Sequence, residues 1–419
     1  VRYESGEIAI ELERQGELRR RKLSYPPLVG TYDTLALPGF LLFYDRNGDI
    51  KYIRGRGRDW PHPSEWLKRT RGNSWVYYFS GRYTEDLYDW LGEYYLPCFR
   101  YPSNSLWRVD PFEDEAVQRA LAVWKEAPLV AQRHLEKGAP ERVGRFLRRI
   151  RERGEALLGE TAEELWRVLG DRVRVLPPDS RHVDYEVLPL LIADGCLYDC
   201  SFCRVKSGRS YRSRTKEEVG EELRGVQRLL GEDMVNVNAA FLGQDDALHA
   251  GTERVLDAAG MCLEALRESP LLDRYVFLFA SVHSLLGASE ELWRGLAELP
   301  CRTYVNVGLE SVVGETLREL GKPVRAEDAR QAFRRMCDLN ERLERVEVSA
   351  NFVVDPDLSS AHWGEMEALL RDVPERPRSK GTVYLSPLRG GRKREHMRLI
   401  RSLKMRSRLP VYLYLIQGL

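Results

Sequence analysis

From residue 186 onward the chain alternates short apolar runs with amphipathic helical patterns, and this constrains the fold more than any other feature. The runs are EVLPLLIA (186–193), VNVNAAFLG (235–243), YVFLFAS (275–281), TYVNVGLE (303–310), VEVSANFVV (346–354) and TVYLSPL (382–388). Each of the first five leads into a helical pattern, from TKEEVGEELRGVQRLL to AHWGEMEALLRDV. Strands that are apolar throughout are buried on both faces, as in parallel sheets covered by helices. Parallel neighbours need crossover connections, and these are right-handed. The repeated unit predicts an α/β fold: a partial (β/α)6 TIM-like barrel over residues 181–390. Active groups are expected at the C-terminal ends of its strands. A further helix, KREHMRLIRSLKM, and a last apolar strand, LPVYLYLIQ, form a C-terminal piece at 391–419.

The first 180 residues read differently. Residues 1–112 form an aromatic-rich α+β accessory region, and 113–180 a helical region with a linker. GFLLFYDRNGDIKYIRG predicts a hairpin around Asn47-Gly48, the pair favoured by a type I′ turn. HPSEWLKRT predicts a helix start with Ser64 as N-cap. WVYYFSGRYTEDLYDWLGEYYLPCFRYP is either packing in an α+β core or a binding surface. The predicted helix ERVGRFLRRIRERGEALL carries Arg142, Arg145, Arg148, Arg149, Arg151 and Arg153. These make either a solvated helix surface or a contact for an anionic partner. VLPPDS, from Val175 to Ser180, is expected as the linker, because paired prolines break a helix.

A net charge of +1 gives no bulk attraction for nucleic acid. No apolar run is long enough to span a membrane, so no membrane partner is expected. The N-terminal VRYESGEIAIELERQ lacks a signal-peptide core. Seven cysteines in 419 residues do not make a disulfide framework, and a cytoplasmic, reducing setting is expected.

Three of the seven cysteines stand together in GCLYDCSFC, at Cys196, Cys200 and Cys203. They follow the first barrel strand, so they sit in its βα loop. Three soft ligands suit an iron–sulfur cluster or, less well, zinc. A structural zinc site wants four protein ligands, and His182 is the only formal fourth nearby. A 4Fe–4S cube on three cysteines leaves one iron open to a small molecule.

C-x3-C-x2-C in the first βα loop of such a barrel resembles the radical S-adenosylmethionine (radical SAM) superfamily, and Phe202 fits its aromatic position before the last cysteine. The resemblance implies a 4Fe–4S cluster on Cys196, Cys200 and Cys203. It also implies SAM on the open iron and reductive cleavage to a 5′-deoxyadenosyl radical that abstracts hydrogen from a substrate. FLGQDDAL (241–248) resembles the motif that holds the SAM amino group, through Gly243, Gln244 and Asp245. VGLESVVGETLRELGKP (307–323) resembles the fourth-strand segment of the branch with the elongator catalytic subunit and the methylthiotransferases. That places Glu310 and Ser311 near the SAM ribose or carboxylate. SANFVVDPDLS (349–359) corresponds to the adenine region, with Asn351 and Val353 as contacts, but Asp355-Pro356-Asp357 departs from the family run.

Other readings stand beside these. Asp245 and Asp246 either cap the helix from 252 or serve as ligands. Glu310 is either a cofactor contact or a structural barrel carboxylate. Tyr198 either shields a cluster or packs, and His283 is a core histidine or an active-site group. Cys262, Cys301 and Cys337 read as buried small hydrophobes, and Cys98 as a buried thiol or a substrate-side group. No second three-cysteine domain, cobalamin motif or acetyltransferase-like Gly-rich loop is visible. The expected function is therefore a single-cluster radical SAM enzyme with a flavodoxin- or ferredoxin-type reductant. Its substrate is a small molecule, a peptide or RNA. The alternative is a metal- or cluster-stabilised RNA-binding module without radical chemistry.

Overall fold

A computed structural model describes residues 1–19, 29–61, 63, 65–79, 96–98, 110–205, 208–374, 380–390 and 393–419. The N-terminal part is an antiparallel sheet, with described strands in chain order β1 to β8. They are β1 (Arg2–Ser5), β2 (Ile8–Gln15), β3 (Thr31–Leu37), β4 (Phe40–Tyr44), β5 (Ile50–Gly55), β6 (Trp66–Arg69), β7 (Trp75–Phe79) and β8 (Leu96–Cys98). Alternation builds it: Ile8, Ile10 and Leu12 point into the core while their neighbours face outward.

The hairpin expected around Asn47-Gly48 is present, because β4 pairs antiparallel with β5. Its turn is not type I′. Only Gly48 takes a positive φ, of 90°. The Asp45 carboxylate instead accepts the backbone N–H of Asn47 and of Asp49, both at 2.9 Å, and so holds a longer loop. The helix expected from HPSEWLKRT is strand β6, paired with β7 from Trp66↔Tyr78 to Arg69↔Trp75. Cross-strand burial overrides the local pattern there, since all of Trp66–Arg69 is buried. The readings made for Ser64 and for the Cys98 side chain lie outside the described residues. The aromatics whose side chains are described on β7, Trp75, Tyr77 and Tyr78, are packing residues, Trp75 against Trp124.

Three helices follow: α1 (Glu115–Glu136), α2 (Glu141–Glu152) and α3 (Glu155–Leu169). The Asp114 side chain caps α1 by accepting the Ala116 N–H. All six arginines from 142 to 153 meet carboxylates. Arg142 pairs with Glu13, Arg145 and Arg148 with Glu141, Arg149 with Glu232, Arg151 with Glu152 and Arg153 with Asp49. The helix is an ion-paired surface. Val175–Ser180, read as a linker, is buried. Pro178–Val183 forms a 3-10 turn whose Asp179 and Ser180 are fully buried.

The second half is one parallel sheet, in the order β17-β16-β15-β14-β13-β12-β9. It contains β9 (Leu188–Pro189), and beside it β10 (Ala193–Asp194) and β11 (Arg212–Ser213) make a small antiparallel ribbon. Helix α4 (Lys216–Leu230) then leads to β12 (Ala239–Phe241), and α5 (Thr252–Ala265) to β13 (Tyr275–Ala280). Helices α6 (Val282–Gly287) and α7 (Glu290–Glu298) precede β14 (Arg302–Glu310). Helices α8 (Gly314–Glu319) and α9 (Ala326–Arg342) precede β15 (Val346–Val354). Helix α10 (Ser360–Arg371) leads to β16 (Val383–Pro387), and α11 (Lys393–Arg406) to β17 (Val411–Leu413). A Thr215–Glu218 capping box starts α4. The C-terminal piece therefore adds a seventh parallel strand to the same sheet, with Val383↔Val411 to Leu385↔Leu413 in register. The fold is a TIM-like partial barrel.

One continuous apolar core runs from Ile8 on β2 through α1–α3 and the barrel to Leu419. A buried ionic cluster ties the antiparallel sheet to the barrel entry. Glu186 accepts from Lys51 and Lys68, both at 2.6 Å, and Arg71 bridges Glu186 (3.3 Å) and Asp233 (3.1 Å). The three cations hold the Glu186 carboxyl well below its ordinary range against the opposing effect of burial. No helix among the described residues is long and apolar enough to cross a membrane.

Candidate active site

The cysteine loop leaves the barrel through β10 and returns through β11. Its base is pinned by charge: Asp194 pairs with Arg212 at 2.8 Å and Arg214 at 2.6 Å, and Arg214 also reaches Glu222. Gly195 starts the loop at φ 71°, and a Cβ there would press on the backbone oxygens of Arg209 and Ser210. At the far side the Ser201 N–H donates to the Leu320 carbonyl at 3.1 Å. Gly321, at φ 61°, makes room for that approach, since a Cβ would stand 2.7 Å from Ser201 Oγ.

Cys196, Cys200 and Cys203 wall one cavity. Burial pushes the Cys196 thiol up to about 12, and raises Cys200 against the pull of Lys322. Among the described residues no three Cys, His, Asp or Glu side chains close around a single metal ion. Tyr198 lines the cavity between the first two cysteines. Its hydroxyl meets His283 Nδ1 at 2.6 Å and accepts the His283 N–H at 3.2 Å. His283 is thus not a core histidine. It is exposed and holds the cysteine loop.

The strand ends bring the other expected residues in. Gln244 and Asp245, just beyond β12, line the cavity, while Gly243, at φ 110°, is not part of its lining. Gln244 is held by the Arg174 N–H at 3.1 Å and by Asp171 at 3.3 Å. Asp246 does not cap α5, whose N-cap is Gly251. It ties β12 to β13 by accepting from the Ser281 N–H (3.0 Å) and the Ser284 hydroxyl (2.6 Å). At the end of β14 the register shifts between Gly308 and Glu310. This bulge, with Glu310 at φ 63°, turns the carboxylate into the cavity. Lys322 Nζ lies 3.6 Å from it and 5.2 Å from the Tyr198 ring centre. Burial raises the Glu310 carboxyl, partly offset by Lys322. Asn351 and Val353 on β15 also line the cavity, and Asn351 is fixed by a two-way hydrogen bond with Asn306.

Ser311 is not there. It is fully buried, bonded to His362 Nδ1 at 2.9 Å and accepting the Val313 N–H at 3.1 Å. The bulge that aims Glu310 inward sends the next side chain toward α10. His182 is not near the cysteines either, since it stacks on Tyr304 near the start of β14. Cys262, Cys301 and Cys337 are buried. Lys322 was missed as a site residue, although the Gly-Lys pair at 321–322 was its signal.

Residues 190–370 match the family model of the Radical SAM superfamily. Those residues form a radical SAM domain. The match assigns no branch within the superfamily. A search of curated protein sequences returned no match. Among solved structures, a radical SAM methyltransferase from Sphaerobacter thermophilus is 19% identical, with a TM-score of 0.39 over 54% of this chain and 64% of that one. The cobalamin-dependent S-adenosylmethionine radical enzyme OxsB is 17% identical, with a TM-score of 0.33 over 53% of this chain and 31% of its own. Streptococcus suis SuiB is 10% identical, with a TM-score of 0.36 over 83% and 70%. The chain thus spans less than two thirds of the length of the first two. Radical SAM domains use a 4Fe–4S cluster and SAM. The donor set around this cavity suits them: three soft thiols on one loop, and facing them an amide, carboxylates and an ammonium.

Proposed function

We propose that the chain is a radical SAM enzyme, with Cys196, Cys200 and Cys203 holding a 4Fe–4S cluster and the polar strand ends holding SAM. One observation carries the reading. The thiols, Gln244 and Asp245, Glu310 and Lys322, and Asn351 come from separate strand ends, yet all wall one cavity. When bound, the cluster and SAM supply reductive cleavage of SAM and abstraction of hydrogen from a substrate C–H bond.

The chain's own residues bind and orient. Asp245 offers a carboxylate to an ammonium, and Lys322 a cation to a carboxylate. Asn351, locked by Asn306, presents fixed polar atoms toward the adenosyl part of SAM. Glu310, set by its bulge, keeps Lys322 in place and gives an acceptor for ribose hydroxyls. Tyr198, anchored by His283, closes the solvent side of the cysteine loop and limits access of water. A reductant of the flavodoxin or ferredoxin type and a cytoplasmic setting go with this reading.

The test is the anaerobic absorption and electron paramagnetic resonance spectrum of the reconstituted protein, with and without SAM. A brown protein whose reduced signal shifts on adding SAM is expected, and Cys200→Ala should abolish both the colour and SAM cleavage. A colourless zinc protein, or SAM cleavage that survives Cys200→Ala, refutes the assignment.

A further inference from the structure

The cavity has a second half that the polar and thiol groups do not use. Val175, Val205, Phe279, Leu388, Tyr414 and Ile416 line it. Most of these belong to an apolar cluster separate from the main core, built on Val175, Tyr384 and Tyr414 with Val205, Phe279, Tyr412 and Ile416 packed against it. The buried tyrosine hydroxyls of this cluster are taken up by the protein. Tyr384 donates to Asp179 at 2.7 Å, and Tyr414 to the Leu176 carbonyl at 2.7 Å. Of the two, Tyr414 lines the cavity, and its ring alone remains to face a ligand.

The same wall closes the flank of the barrel. Strands β9 and β17 are the two edges of the parallel sheet. Residues 173–176 run between the chain beyond β17 and the end of β12. Leu176 N–H donates to Gln417 O at 2.7 Å, Leu419 N–H to Val173 O at 3.3 Å, and Arg174 N–H to Gln244 Oε1 at 3.1 Å. This strap places Val175 in the cavity wall, between the chain beyond β17 and the end of β12.

We propose that this apolar half is the substrate subsite, and that it takes an uncharged, apolar part of the substrate, a hydrocarbon chain or an aromatic ring. The assignment rests on the radical SAM reading and adds the substrate class. These six side chains turn no unsatisfied hydrogen-bonding group toward a ligand, and with Ser386 and Arg204 as their polar neighbours in the lining they disfavour a buried charged or strongly polar group. They hold an apolar one by burial. The strap makes Val175, Tyr414 and Ile416 specificity residues.

The test uses the full, reconstituted chain and the neutral apolar dye N-phenyl-1-naphthylamine, titrated by fluorescence with and without saturating SAM. One dye per chain is expected, with an affinity changed less than twofold by SAM. Ile416→Asp and Leu388→Asp, on two separate segments, should each weaken the dye at least tenfold. Both variants should keep the SAM-induced shift of the cluster signal, which shows that they fold and bind SAM. Three results overturn the proposal: no dye bound by the unaltered chain, dye binding indifferent to both variants, or dye displaced by SAM. Displacement would mean that the apolar half belongs to the SAM site. A cluster blind to SAM, with dye binding as expected, overturns the radical SAM reading and with it the substrate role.

Discussion

Replacing Gly195 by alanine separates backbone strain from crowding at the base of the cysteine loop. Gly195 and Gly138 have nearly the same φ, at 71° and 78°. Around Gly138, which follows α1, an added Cβ meets nothing within 4 Å. Around Gly195 it meets backbone, with Ser210 O only 2.6 Å away. Gly138→Ala should therefore show only the left-handed penalty, about 1 kcal/mol. Gly195→Ala adds an overpacking cost of about 1–3 kcal/mol, because the backbone leading into β11 cannot swing aside as a side-chain tip can. The total is roughly 2–4 kcal/mol. The Arg209–Ser210 segment must shift to accept the methyl, and the cysteine loop shifts with it. Thermal midpoints of the two variants, with iron and sulfide per chain after reconstitution, make the assay. Gly195→Ala should melt well below Gly138→Ala and bind less iron. Equal midpoints and equal iron would refute the claim that crowding at Gly195 holds the loop.

Other expectations concern buried charge. Burial lifts the Asp179 carboxyl to about 7, above its ordinary 3.8, so the folded chain holds that proton more tightly than the unfolded one. Its stabilising contribution is complete below about pH 4 and is lost as pH rises through 7, by up to about 4 kcal/mol. Asp179→Asn should flatten the unfolding free energy between pH 4 and 7 relative to the parent, and an unchanged slope would contradict the shift. Lys322→Met leaves Glu310 buried without its cation and should destabilise the cluster-free protein by about 3 kcal/mol or more at neutral pH. The raised Glu310 carboxyl means that this loss grows with pH, and the Glu310→Gln/Lys322→Met double variant should recover much of it in a thermal melt. Arg145→Ala, at an exposed 4.0 Å pair on α2, should change stability by less than about 0.5 kcal/mol.

Much of the barrel is legible in the chain because its signals are local. The apolar runs at 275–281, 303–310, 346–354 and 382–388 coincide with β13 to β16 within a residue or two. Strand and helix periods are set by residues two to four apart, which a single sequence displays. The cysteine spacing is equally local, and so is its placement after the first strand. The same locality misled at HPSEWLKRT. There Trp66, Leu67 and Lys68 have a helical look, but they are held as strand by β5, β7 and the distant Glu186.

By itself, the sequence determined the α/β repeat, the thiol cluster and the strand ends that meet it. Tertiary structure alone decided which polar residues face the cavity. A single bulge at Leu309 turns Glu310 in and Ser311 out, and a close approach at Gly321 brings Lys322 beside the cysteine loop. It also decided that β17 joins the sheet, that α2's arginines are spent on carboxylates and that Val175 walls the cavity. Apart from the pairs that Arg145, Arg148 and Arg151 make within their own helix, these rest on contacts between residues far apart in the chain, which neither propensity nor spacing encodes.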